Sequence, residues 1–147
     1  MKRFLLILSL ALLMALMLAG TALAVDGNAK ILVNGEELAV GGYWKNDDLS
    51  ADKDDWNAKF EYDEENGYIL TLDGAEITKA GGGSFQAGIL FDPEGDDDSA
   101  PLTIVLEGEN TIDLRDNNPE EALVAGILVT GDLLIEGEEL TIHGGSL

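Results

Sequence analysis

One phrase occurs three times in this 147-residue chain: LTLDG at 70–74, IVLEG at 104–108 and LLIEG at 133–137. Each sets aliphatic residues two apart and then adds an acid and a glycine, the alternation of a half-buried strand that ends in a turn. A second phrase, AGIL, stands at 87–90 and again at 125–128, each time shortly before the next acid-glycine strand. Two phrases recurring in the same order imply stacked structural repeats. They fix architecture far more tightly than chemistry.

Aligning acid with acid puts Leu72, Leu106 and Ile135 at one inward position and Leu70, Ile104 and Leu133 two residues earlier, with spacings of 34 and 29 residues. The difference has a visible source. Between AGIL and the next strand the first copy carries FDPEGDDDSAP at 91–101, whereas the second has only VTGD at 129–132. Insertion in one repeat and not the other is how stacked coils vary. At another corner, 113–123 reads DLRDNNPEEAL, and Asn118, Pro119, Glu120 and Glu121 resemble a helix start. Strands about every 30 residues with a short GIL strand between them suit a parallel β-helix. A sandwich would instead show turn signals every ~8–12 residues and no phrase-level repetition. The expected fold is therefore all-β, a parallel β-helix.

Upstream, ILVNGEELAV at 31–40 matches LLIEGEELTI at 133–142, which suggests a strand-turn-strand unit at both ends. From 41 to 67 the pattern breaks into a polar stretch carrying Tyr43, Trp44, Trp56, Phe60 and Tyr62 among Asp47, Asp48, Asp52, Asp54 and Asp55. Here WNAKFEYD alternates like a strand, and the ENG at 65–67 signals a turn. A stacked array must close its open end, so 25–67 reads as an N-terminal capping unit and 68–147 as the repeats. The pattern is still running at TIHGGSL, which predicts further coils in a longer chain.

Residues 1–24 read as a signal peptide: Lys2 and Arg3, an apolar stretch over 4–19, and Ala22-Leu23-Ala24 as the cleavage site. Its removal leaves six basic and 29 acidic side chains, a net charge of −23. Such a field repels nucleic acid and anionic membranes, and repels uronic-acid polymers unless a divalent cation intervenes. With no cysteine there is neither a disulfide framework nor a lipoprotein anchor. An exported, acidic, glycine-rich chain fits a bacterial extracellular or cell-surface protein, without membrane attachment once the leader is gone.

The segments YILTLDGAEIT, AGILF, LTIVLEGENTI and AGILVTGDLLIEGEELTIHGG resemble a group of secreted bacterial repeat proteins with a right-handed, pectin-lyase-like β-helix, often labelled carbohydrate-binding domain-containing. The resemblance runs from about residue 31 to the end. Its motifs specify coils rather than catalysis. It implies association with a polysaccharide or cell-wall glycan by analogy of fold.

Several residues are candidates for chemistry. Parallel stacking in the acid-to-acid register would set Asp73, Glu107 and Glu136 in a column about 4.8 Å apart, whose repulsion Ca²⁺ would relieve. The loop acids Asp92, Glu94, Asp96, Asp97 and Asp98 offer a second calcium site. They do not match an EF-hand loop, because counting from Asp92 the glycine position is Asp97. Solvated acidic faces are the plainer reading of both. Tyr43, Trp44, Trp56 and Tyr62 could stack on sugar rings or plug the first coil, and Trp56 is the more plausible platform. Catalysis finds no motif: Arg115 sits between Asp113 and Asp116, which would hold it as an ion pair, and His143 has no nucleophile nearby. The sequence thus points to a carbohydrate-binding or adhesive module. A structural spacer is the first alternative, and a polysaccharide-active lyase or hydrolase the second.

Overall fold

The computed structural model describes residues 29–46, 51–93, 101–117 and 123–144. The signal peptide expected over 1–24, Asp47, Asp48, Glu94, Asp96, Asp97, Asp98 and the suggested helix start at 118–121 lie outside them. Among the described residues the fold is all-β, two open mixed sheets facing one another, with no helix.

The chain begins with a hairpin, β1 (Lys30–Val33) and β2 (Glu36–Ala39). Asn34 and Gly35 both take positive φ, 55° and 80°. That is the conformation a two-residue hairpin turn demands, and Asn-Gly is the dipeptide that supplies it at least cost. The first sheet continues with β8 (Phe85–Phe91) and β10 (Leu123–Val129), in the order β10-β8-β1-β2, and β7 (Gly81–Gly82) also pairs with β8. In the second sheet, β3 (Tyr43–Trp44), β4 (Ala58–Asp63), β5 (Gly67–Asp73), β9 (Leu102–Asp113) and β11 (Leu133–His143) lie in the order β11-β9-β5-β4-β3. The short β6 (Glu76–Ile77) continues β5 past a bend at Gly74 and pairs with the far half of β9.

From β5 onward the chain alternates between sheets, and each return lies parallel to the strand one circuit earlier: β9 on β5, β11 on β9, β10 on β8. The strands over 30–63 pair antiparallel instead and occupy one flank of both sheets. The ENG turn forms as read. Asp63 Oδ1 accepts from the amides of Glu65 and Asn66 at 3.0 and 2.9 Å, and these bonds hold its carboxyl below the usual range.

Alternation carries the apolar residues inward in columns. Tyr68 and Leu102, Leu70 and Ile104, and Leu72 and Leu106 are register partners, each nearly or fully buried. Phe60, Tyr62, Tyr68 and Phe91 form an aromatic cluster with ring centroids 5.1–5.9 Å apart. The AGIL phrase has a packing cause. A Cβ on Gly88 would meet the Cγ2 atoms of Ile112 and Ile77 at 2.9 and 3.0 Å, and one on Gly126 would meet that of Ile142 at 2.6 Å. The column Ile77, Ile112, Ile142 in one sheet therefore seats against a glycine step in the other, and only glycine leaves room.

Two expectations need correction. LLIEGEELTI is not a second strand-turn-strand unit. Glutamate replaces the turn asparagine, β9 offers a partner along the whole length, and the segment runs as one strand with a single irregularity between Gly137 and Glu139. Its register is also displaced two residues from the acid-to-acid alignment, because Ile135 pairs with Ile104 rather than Leu106. The stacking of aliphatic side chains sets register, and a shift of two preserves which face is buried.

Candidate functional site

The second sheet turns one row of side chains outward: Tyr43, Lys59, Thr71, Val105 and Glu136, neighbours across β3, β4, β5, β9 and β11. A second outward row holds Glu61, Ile69, Thr103 and Leu134. At the β3 end, the segment before β4 brings Trp56 to this face. Its ring lies 6.5 Å from that of Tyr43, tilted by 41°, with Lys59 Nζ 5.2 Å from the indole centroid. Lys59 also pairs with Glu61 at 2.8 Å, and Lys45 with Asp55. Tyr43 and Trp56 are both half-buried, a two-ring ledge edged by paired charges.

Asparagines fix this ledge. Asn57 Oδ1 accepts from the Asn46 amide at 3.0 Å, while its Nδ2 donates to the Asp73 carbonyl at 2.8 Å. Asn46 Nδ2 donates to the Gly74 carbonyl at 3.0 Å, and its Oδ1 accepts from the Glu76 amide at 2.8 Å. The segments flanking Trp56 are thus tied to the bend after β5. Each bond engages a backbone group at or near a strand end, where ladder partners run out.

The four aromatic candidates separate. Tyr43 and Trp56 come together on the outer face. Trp44, one residue along β3, points inward by strand alternation and is 3% exposed within the core, so its ring cannot meet an external sugar. Tyr62 packs 5.1 Å from Tyr68 and belongs with the core cluster.

The proposed acid column forms in part. Asp73 and Glu107 are register partners, but Glu136 lies beside Val105. The third carboxylate at the bend is Glu138, whose Oε2 accepts from the Gly108 amide at 2.9 Å. Among the described loop acids, Asp92 accepts a hydrogen bond from Thr130 Oγ1 at 2.8 Å. No group of three or more acidic, histidine or cysteine side chains gathers to hold a metal ion among the described residues.

Arg115 is held by Asp113, one of the two neighbours expected to pair with it. Its guanidinium forks onto Asp113, with Nε donating to Oδ1 at 2.8 Å and a second bond to Oδ2. The Arg115 hydrogen bonds hold the Asp113 carboxyl down at about 2 and raise the guanidinium in turn. An arginine so engaged is not poised to neutralise a substrate carboxylate.

The feature hardest to read from sequence is a set of buried or half-buried asparagines at the bends. Asn110, 2% exposed, accepts from the Ala75 amide at 2.9 Å and donates to the carbonyls of Glu107, Gly108 and Glu139 at 3.1–3.4 Å. Asn34 accepts from the amides of Thr78 and Lys79, both at 2.8 Å. Asn117 accepts from Ala80 and donates to Thr78. These residues recur at no fixed spacing, so the phrase repeat does not reveal them.

Comparison with family models, with curated proteins and with solved structures found no match.

Proposed function

We propose that this chain is a right-handed parallel β-helix module of the secreted or cell-surface kind, which binds carbohydrate through the Tyr43–Trp56 ledge without acting on it chemically. The observation that carries the reading is the pairing of two half-buried aromatic rings on an outward face otherwise built of threonine, aliphatic and charged side chains. Two rings at this spacing offer apolar faces to the C–H side of a sugar, while Lys59, Asp55 and Glu61 supply donors and acceptors at its rim. The nearby lysines are already paired with carboxylates and the chain is strongly acidic, so the ledge suits a neutral glycan better than a uronate. The alternation of β5, β8, β9, β10 and β11 between two sheets, with parallel pairing one circuit on, supports the β-helix assignment.

A structural spacer is the second reading, favoured by the packing of Trp44 and Tyr62 into the core. A glycan array probed with the leader-free chain, in calcium and in EDTA, separates the two. The binding reading expects retention on neutral glycans and its loss in Trp56→Ala with unfolding unchanged. The EDTA arm tests the calcium bridge expected from the acidic loops. Absence of binding from folded protein in both conditions would leave the spacer.

A further inference from the structure

Asparagine followed by glycine occurs in two turns, at 34–35 and at 66–67. The pair is chemically labile, because a glycine amide has no side chain to shield it and can attack the carboxamide carbon of the asparagine before it. The two turns hold it differently. Asn34 is 6% exposed, and its Oδ1 accepts from the amides of Thr78 and Lys79. The segment after those residues closes over the turn, where a Cβ on Gly81 would meet the Gly35 Cα at 2.7 Å. Swinging this carboxamide onto the Gly35 nitrogen would take the acceptor from two backbone amides in a part-buried site, which is costly. Asn66 is exposed, and its Nδ2 donates to Asp63 Oδ1 at 2.7 Å, a surface bond that water replaces at little cost. Behind it, Gly67 has a φ of 78°, and a Cβ there would meet the Pro101 carbonyl oxygen at 2.9 Å, so the fold keeps glycine at this position.

We propose that Asn66 is a site of spontaneous modification, converted in the folded protein to aspartate and isoaspartate, while packing protects Asn34. Opening of the exposed turn brings the Gly67 nitrogen onto Asn66 Cγ. As the new N–Cγ bond forms, the Gly67 amide gives up its proton, the Cγ–Nδ2 bond breaks and ammonia leaves, closing a cyclic imide. Water then opens the ring. Cleavage between Cγ and the Gly67 nitrogen returns an ordinary peptide with aspartate at 66. Cleavage between the backbone carbonyl carbon and that nitrogen gives isoaspartate, in which the chain runs through Cγ and is one carbon longer. Either product replaces the Nδ2 donor by a carboxylate beside Asp63, in a turn that already carries Glu64 and Glu65. Like charges so placed repel, and the Asp63–Gly67 pair that ends the β4–β5 ladder should fray.

The test is peptide mass spectrometry on the leader-free chain held in mildly alkaline buffer, folded and in urea, with isoaspartate scored by fragmentation. In urea both asparagines should gain about 1 Da at similar rates. In the folded chain Asn66 should convert about tenfold or more faster than Asn34, since the exposed turn opens far more readily than the packed one. Asn66→Gln should abolish the more acidic forms that anion exchange resolves from the aged folded chain, because glutamine would have to close a larger ring. Asn66 unchanged in the folded chain while it converts in urea would overturn the proposal. Equal conversion of Asn34 and Asn66 in the folded chain would overturn it as well, since packing would then protect neither.

Discussion

Replacing Asn110 with alanine tests whether the bends are held by side-chain amides or by stacking alone. Asn110 sits in the middle circuit, bonded back to Ala75 and forward to Glu139. Alanine leaves the Ala75 amide without a partner where Ala75 itself is 1% exposed, a loss of about 1–3 kcal/mol. The carbonyls of Glu107, Gly108 and Glu139 lose a donor as well, but the longer, partly exposed bonds there are worth less. The total is about 3 kcal/mol, which at a urea dependence of about 1.5 kcal/mol per molar lowers the unfolding midpoint by about 2 M. Asn110→Asp sharpens the test. The carboxylate keeps the acceptor for Ala75 but turns an oxygen toward three carbonyls, so the folded state raises its pKa above the unfolded value of about 4. Relative to the parent, this variant should be least stable at neutral pH. It should recover as pH falls through its raised pKa toward 4, where the protonated form can donate again. Midpoints for Asn110→Ala within about 0.3 M of the parent, together with a flat pH dependence for Asn110→Asp, would mean that stacking alone holds the bends.

Further outcomes follow from the packing and the charges. Gly88→Ala should cost more than Gly126→Ala, about 2–3 against about 1 kcal/mol by chemical unfolding, because the obstructing Ile112 is fully buried while Ile142 is 46% exposed and can move aside. Trp44→Ala should destabilise by about 3–5 kcal/mol as a core truncation, whereas Trp56→Ala should cost far less and act on ligand retention. By NMR titration Asp113 should lose its charge only near pH 2, and Arg115→Ala should return it toward the ordinary carboxylate range. Its folded pKa is the depressed one, so the stabilisation it brings is present above the unfolded value of about 4 and is lost as pH falls toward 2.

What could be read from the chain divides along physical lines. Strand identity follows from alternation, and the recurrence of LTLDG, IVLEG and LLIEG locates β5, β9 and β11 because each buries one face against the same core. Register was not legible from that phrase. In the last strand it is set by Leu133 and Ile135 lying on Leu102 and Ile104, and β9 absorbs an extra residue near Gly108, so aligning glutamates placed Glu136 where Glu138 comes closest. The likeness of ILVNGEELAV to LLIEGEELTI hid a change of fold in one residue, since asparagine tolerates the positive φ of a tight turn where glutamate does not. At the candidate site, strand alternation separates Tyr43 from Trp44, but the approach of Trp56 depends on a non-repeating connection held by Asn46 and Asn57. A periodic reading has no access to such contacts, which join residues far apart in sequence.

The chain stacks in parallel circuits whose register is fixed by aliphatic columns. Interstrand NOEs at the β9–β11 junction test it most directly. The structure requires contacts joining Ile104 to Ile135 and Leu102 to Leu133. Contacts joining Leu106 to Ile135, or an antiparallel pattern between these strands, would show that the aliphatic columns do not set the register.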